Sequence, residues 1–175
     1  MIPSGFRIRI IGDPALRMKS RALEFPADRE YIRELLAGMR KILEEQEGLG
    51  LAAPQAGHPV RVFIAIPDYL KDLKGHTVFI NPEVEPFGPL EKREEGCLSV
   101  PGIWESLERP SGARLNALDE NGNRFSLEVE GLSARLFQHE TDHLDGILFT
   151  DRLSPMKKKL LKRKLNRLME ESGTR

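Results

Sequence analysis

The sequence predicts an α+β fold in which antiparallel or mixed sheets pack around a central helix, with one further helix towards each end of the chain. Three observations support this fold class: an apolar stripe of helical period within residues 28–46, an Asn-Gly pair between two alternating segments, and a mostly apolar segment that carries His139 and His143. The 175 residues are most simply one domain, 1–175, which is long enough to bury a core.

The first helix is predicted from Asp28 to Gln46. Its apolar side chains recur every three or four residues and form one stripe, made of Ile32, Leu35, Leu36, Met39, Ile42 and Leu43. Asp28 is a candidate N-cap and Gly48 a candidate stop signal. We therefore expect this helix to be amphipathic and to pack its stripe against the core.

The middle of the chain is predicted to be mostly antiparallel sheet. Pro82 is expected to end one strand, and Asn121-Gly122 between two alternating segments is a strong hairpin signal. The predicted strand segments are 60–66, 78–82, 114–118 and 124–129.

The central helix is predicted to begin at Ser133 as its N-cap and to stop at Gly146, a length of about 12 residues. It offers little polar surface, so it should be largely buried. Two histidines and a glutamate on such a helix are costly unless they are paired or bind a metal ion.

The C-terminal helix, about residues 154–172, is strongly basic. From Arg152 onwards there are nine Lys or Arg and two Glu, a net charge of +7, so the remainder of this formally neutral chain carries −7. The pattern is typical of a solvated face on a docked helix, and equally of a surface that contacts a polyanion such as RNA. Sequence-specific recognition of nucleic acid is not implied, and no interleaved aromatic residues indicate base stacking.

Composition favours a globular protein of the cytoplasm. The chain is 39% hydrophobic and 31% charged, no apolar run approaches the ~18 residues of a membrane span, and the first residues lack a signal-peptide block. The only cysteine, Cys97, can form no intrachain disulfide, which fits a reducing compartment. We expect no membrane contact.

A metal site is indicated by His139-Glu140-x-x-His143. On a helix the two imidazoles share one face and can bind one metal ion, and Glu140 can reach a water on it. A third histidine ligand would fall at Phe149, which cannot bind metal. Cys97 is then the best third ligand, and such a set leaves one position open, as catalytic sites do.

The segment from Gly48 to Gln55 has two glycines and two alanines and almost no side-chain bulk. It is typical of a tight packing loop, and also of a place where a ligand comes close to the backbone. Gln55 is its only polar side chain, and the amide can both donate and accept hydrogen bonds.

Three motifs together resemble those of the peptide deformylase family, in the order and near the spacing usual there. They are Gly48-Leu49-Gly50-Leu51-Ala52-Ala53-Pro54-Gln55, Glu95-Gly96-Cys97-Leu98-Ser99 and His139-Glu140-Thr141-Asp142-His143. Trp104 stands where many bacterial members carry an arginine near the substrate pocket. The C-terminal helix is similar to that of the bacterial type. The resemblance implies hydrolysis of the N-formyl group from the initiating methionine of new polypeptides.

The resemblance also implies roles for single residues. One divalent metal ion would be held by Cys97, His139 and His143, and the metal-bound water would attack the formyl carbon with Glu140 as general base and then acid. The family prefers Fe²⁺ in the cell, and the ligand set also allows Zn²⁺, Ni²⁺ or Co²⁺.

The same resemblance assigns the stabilisation of the oxyanion to the Gln55 amide and the Leu98 backbone N–H. Glu95 and Asp142 are candidates to orient the ligands or other groups of the site. The residues expected to contact substrate are Gly50 and Gly96, which admit the peptide backbone, and Leu51, Leu132 and Leu136, which would receive the methionine side chain. For Leu136, core packing is an equal alternative.

Two other functions stay open on sequence grounds: a zinc endopeptidase, and a binding protein with a structural metal and an RNA-contacting helix. For a deformylase the expected partners are N-formylmethionyl peptides. The basic helix would then give a contact with the ribosome, from which new chains emerge.

Overall fold

The structure is a computed structural model that describes residues 6–46 and 48–173. These residues form three α-helices and five strands, joined by short 3₁₀ turns. In chain order the elements are α1 (Arg29–Gln46), β1 (Gly50–Ala52), β2 (Val62–Ala65), β3 (Val78–Cys97), β4 (Val100–Leu118), β5 (Arg124–Glu130), α2 (Gly131–Leu144) and α3 (Pro155–Gly173). The predicted α+β class is confirmed.

The five strands form one sheet in the order β1-β2-β3-β4-β5, and each strand pairs antiparallel with the next. The hairpin predicted around Asn121-Gly122 joins β4 to β5. Its turn is stabilised by Asp119, whose carboxylate accepts hydrogen bonds from the backbone N–H groups of Asn121 and Asn123, both at 2.8 Å.

The prediction that Pro82 ends a strand was wrong, because β3 continues through this proline to Cys97. The pairing of β3 with β4 shifts register between Ile80 and Glu83, so Pro82 falls in the irregularity, where a missing N–H breaks no ladder bond. Asn81 there has φ of 50°, and its side chain bonds the backbone of Leu23.

The sheet is sandwiched between α1 and α2, as alternation along β2 makes clear. Val62 and Ile64 belong to the apolar cluster that contains the α1 stripe, whereas Phe63 and Ala65 belong to the cluster that contains Phe137 of α2. Both faces of this strand are therefore buried, and α2 has the central position that the sequence predicts.

The N-terminus of α2 differs from the prediction. The helix begins at Gly131, directly after β5, and the capping position belongs to Glu130. Gly131 has φ of 59°, which allows the chain to turn from strand into helix without a loop. Ser133 is instead inside the helix, and its hydroxyl donates a hydrogen bond to the Asp72 carboxylate.

The third helix packs one side against a separate apolar cluster that contains Phe149 and Ile103. Leu161, Leu165 and Leu168 face this cluster and are partly buried, while Lys159, Lys162 and Arg163 are exposed. Among the described residues, no helix is both long enough and apolar enough to cross a membrane.

The substitution Phe79→Ala tests the core between the sheet and α2. Phe79 is fully buried and stacks on Phe63 with ring centroids 4.5 Å apart. We expect the free energy of unfolding to fall by about 3–5 kcal/mol, because the change removes apolar contacts and leaves a cavity. Urea unfolding measures the loss. Tyr69→Ala, at a side chain that is 73% exposed, is the matched control and should cost less than about 0.5 kcal/mol; equal losses would contradict the assignment of the core.

Candidate metal centre

Three side chains from two elements converge at the predicted metal site. Helix α2 places the Nε2 atoms of His139 and His143 3.2 Å apart, and the Cys97 Sγ lies 3.2 Å from the His143 Nε2. All three ligand atoms lie within 4.8 Å of one another. Cys97 ends β3 and pairs with Val100, so a two-residue turn presents its sulfur to the helix.

The chemistry of this cluster suits a divalent cation. A thiolate and two imidazoles form a borderline-soft donor set, and three protein ligands leave a fourth position of a tetrahedral site for a reactant. The Glu140 Oε2 is buried and has no hydrogen-bond partner among the described residues. The residues present therefore fit a metal ion, with Glu140 beside it.

Glu95 determines which nitrogen of His139 faces the cluster. Its carboxylate is 2.6 Å from the His139 Nδ1, so this nitrogen carries the proton and the Nε2 lone pair is directed at the site. Burial alone would raise the pKa of the Glu95 carboxyl, but hydrogen bonds from Arg109 and His139 outweigh it and hold that pKa well below its usual range. Glu95 is therefore an anion that orients a candidate ligand, as predicted.

Arg109 holds the network behind the ligands together. Its guanidinium is 3% exposed, donates two hydrogen bonds to Glu95 at 2.7 and 2.9 Å, and donates a third to Asp142 at 2.9 Å. Asp142 also accepts from Arg152, and Arg135 donates to Glu95 at 3.0 Å. Asp142 thus acts on the site through Arg109 and does not touch a ligand directly.

Sequence reasoning missed Arg109 and Arg135. Arg109 reaches Glu95 because the register of the long β3–β4 hairpin brings together residues that are 14 positions apart. No local pattern marks either arginine, since Arg109 lies in a segment rich in other charged residues. A buried carboxylate that needs a cationic partner was the one available signal.

Glu140 lies next to the candidate ligands in an apolar setting. Burial raises the pKa of its carboxyl to about 7. A Cβ atom at Gly50 would lie 3.0 Å from the Glu140 Oε1 and 2.9 Å from the Leu136 Cδ1. A larger residue here would press on both side chains, so a glycine gives Glu140 room in its position.

The orientation of the Gln55 amide follows from its hydrogen bonds. Its Oε1 accepts from the Ala52 backbone N–H at 2.8 Å. Its Nε2 therefore points to the other side, 3.4 Å from the Cys97 Sγ and 3.2 Å from the Ser99 Oγ. The amide therefore directs a donor towards the candidate metal centre, and the segment that carries it lines the same cavity.

The centre lies in a cavity of about 460 Å³ with mostly apolar walls. The sequence-derived site residues that line it are Gly50, Gln55, Gly96, Cys97, Leu98, Leu132, Leu136, His139 and Glu140. Leu51 does not line the cavity: its side chain is fully buried in the cluster against α1, because it points to the opposite face of β1. Trp104 and Ile103 extend the wall.

Comparison with known proteins identifies the family of this chain. The family model for polypeptide deformylase matches residues 6–159. The chain is similar to the peptide deformylase of Pseudomonas aeruginosa, with 42% identity over 156 residues that span 89% of this chain and 90% of that one.

Solved structures show the same relationship. A crystal structure of peptide deformylase from Thermus thermophilus has 40% identity, covers 95% of this chain and 98% of its own, and superposes with a TM-score of 0.83. The Plasmodium falciparum peptide deformylase has 34% identity and a TM-score of 0.86, with coverage of 96% and 98%. Because sequence and fold agree over nearly the whole length, the chain is an enzyme that belongs to the polypeptide deformylase family.

Proposed function

We propose that this enzyme hydrolyses the N-formyl group of formylmethionine at the start of newly made polypeptides, which releases formate and leaves a free amino terminus. One observation carries the proposal: the Glu140 carboxyl is buried beside a cluster of Cys97, His139 and His143, and Glu140, Cys97 and His139 line one cavity. Membership of the deformylase family supports it. On this proposal residues 1–175 act as one catalytic domain in the cytoplasm, where its substrates are made.

The cluster of Cys97, His139 and His143 would hold one divalent cation, and Glu95 would keep His139 in the ligating tautomer. When bound, such a cation supplies Lewis acidity, which makes water more acidic and the formyl carbonyl more electrophilic. We propose Fe²⁺ in the cell, with Zn²⁺, Ni²⁺ or Co²⁺ as replacements, because a thiolate with two imidazoles accepts all four.

Glu140 would move the proton. Its carboxylate accepts a proton from the water that attacks the formyl carbon, and the acid then delivers this proton to the methionine nitrogen as the C–N bond breaks. Burial raises the pKa of this carboxyl above its ordinary value, which favours a group that must take up a proton and then release it.

The carbonyl oxygen gains negative charge during the attack and needs hydrogen-bond donors. The Gln55 Nε2 is one candidate, since the Ala52 N–H occupies the carbonyl end of the same amide. The Leu98 backbone N–H, one residue after Cys97, is the second. Donors held in place before the reaction stabilise such charge without reorganisation.

The substrate would lie along the cavity wall. Gly50 and Gly96 both line the cavity, and the peptide backbone would run along these two residues. Leu132, which is 42% exposed, and Leu136, which is 8% exposed, offer apolar surface to the methionine side chain. Leu51 would act indirectly, by packing β1 against the core.

Formate release from a formyl-Met-Ala-Ala peptide by anaerobically prepared, metal-loaded protein tests the proposal. Glu140→Gln should lower turnover by about 10²–10⁴-fold and keep its metal, because the proton carrier is lost and the candidate ligands remain. Cys97→Ala should lose both turnover and metal, as elemental analysis of the purified variants would show.

Two results of the same assay would overturn the proposal. Cleavage of internal bonds in unformylated peptides, without formate release, would favour an endopeptidase. Absence of any hydrolysis in metal-loaded protein would favour a binding protein.

The proposed role of the Gln55 amide as a hydrogen-bond donor can be tested separately from the hydrogen bond that its oxygen accepts from the Ala52 N–H. Gln55→Ala removes both ends of the amide, whereas Gln55→Glu keeps an acceptor for the Ala52 N–H and removes the donor. We expect both variants to lose about 10²–10³-fold in kcat, since a single oxyanion donor is worth about that much. Stopped assays across substrate concentrations measure kcat, and full activity of Gln55→Glu would exclude the donor role.

The basic helix α3 supports a second part of the proposal, contact with the ribosome. Lys159, Lys162 and Arg163 are exposed, and no ion pair joins them to another described residue. Their charge would attract the phosphates of ribosomal RNA without reading its sequence.

Charge reversal on this surface tests the contact. The double variant Lys159→Glu with Lys162→Glu should bind ribosomes about tenfold more weakly, because it loses cation–phosphate pairs and adds repulsion. Lys71→Glu with Lys74→Glu, two exposed positions outside α3, changes the net charge equally and is the control. Co-sedimentation at several salt concentrations measures binding. Equal behaviour of both double variants, or binding that is insensitive to salt, would contradict the proposal.

A further inference from the structure

Trp104 is an unusual surface residue at the mouth of the cavity. It is the only tryptophan in the chain, is 66% exposed, and pairs across the β3–β4 hairpin with Gly96. A Cβ atom at Gly96 would lie 2.7 Å from the indole ring, so the ring lies directly on this glycine, next to Cys97. One side of the indole is therefore supported by backbone, and much of the rest is open to solvent.

Glu94 stands beside this ring. It precedes Gly96 by two residues in β3, so both face the same side of the sheet, and both line the cavity. Glu94 pairs with Ser106, which makes Trp104 its diagonal neighbour, roughly 7–8 Å away between Cα atoms and within reach of long side chains.

The Glu94 carboxylate is exposed and forms no ion pair with a described residue. Two nearby cations are engaged elsewhere: Arg93 binds Glu91 at 2.8 Å, and Lys157 binds Glu105 at 2.7 Å. The rim therefore combines an open indole face with a carboxylate that has no ion-pair partner among the described residues. Both groups attract a cation, the ring through its quadrupole and the carboxylate through its charge.

We propose that Trp104 and Glu94 bind a lysine or arginine side chain of the substrate, in one of the two residues that follow the formylmethionine. This inference rests on the proposed function, because it assumes that a peptide leaves the metal centre past Gly96. In an extended peptide, neighbouring side chains point to opposite sides, so only one of the two positions faces the rim. The other position shows no preference for charge.

Matched peptides separate the effect of the lysine charge from the effect of the side-chain length. Formyl-Met-Lys-Ala and formyl-Met-Ala-Lys are each compared with the peptide in which norleucine, an uncharged chain of similar length, replaces lysine. At one position kcat/KM for lysine exceeds that for norleucine about fivefold, the size expected of an exposed cation–π contact. At the other position the ratio is close to one.

Two variants identify the residues responsible. Glu94→Gln keeps the shape of the side chain and removes its charge, and Trp104→Leu keeps an apolar surface and removes the π face. Each lowers the lysine-to-norleucine ratio towards one. Tyr69→Leu, at an exposed aromatic residue that does not line the cavity, leaves the ratio as it is.

The single tryptophan provides a readout that needs no turnover. The product peptides Met-Lys-Ala and Met-Ala-Lys are titrated against the protein, and the fluorescence emission of Trp104 is measured. In one of the two series the lysine peptide changes the emission at a lower concentration than its norleucine counterpart does. Glu94→Gln removes this difference. The inference is overturned if kcat/KM is the same for the lysine and norleucine peptides at both positions. It is also overturned if the lysine-to-norleucine ratio is unchanged in both variants. If no formylated peptide releases formate, the proposed function fails instead, and the titration alone decides whether the rim binds a cation.

Discussion

The arrangement of the site depends on the buried carboxylate of Glu95. It is 6% exposed and accepts hydrogen bonds from Arg109, Arg135 and His139, so it joins β4 and α2 at a single point. Loss of one partner from such a buried ionic group typically costs about 3–5 kcal/mol, since the remaining charge stays without water. The hairpin and the helix are thereby held in register, and that register is what brings Cys97 to the two histidines.

The sequence was sufficient to predict the helices and the convergence of Cys97, His139 and His143, because both leave local or chemical signatures. The stripe of α1 repeats within one helix, and His139 with His143 follows the period of another. Cys97 is far away in sequence, yet it was identifiable because the chain has no second cysteine and because the three motifs match a known family.

What the sequence could not predict depends on contacts between distant strands. The passage of β3 through Pro82 relies on a register shift that only the partner strand defines. The burial of Leu51 depends on which face of the short strand β1 meets α1, and three residues are too few for an alternation pattern to decide it. The part that Arg109 plays could be recognised only from the structure, in which the hairpin brings its guanidinium to Glu95, the hydrogen-bond partner of His139.

Gly50 and Gly96 have a consequence for any inhibitor that occupies the cavity. At Gly50 a larger side chain would collide with Glu140 and Leu136, and at Gly96 it would collide with the Trp104 ring. Resistance often arises when a wall residue grows into the volume of a bound drug. At these two positions a larger residue must first displace a side chain of the site itself, so compounds that press against the two glycines would make that route more costly for the enzyme.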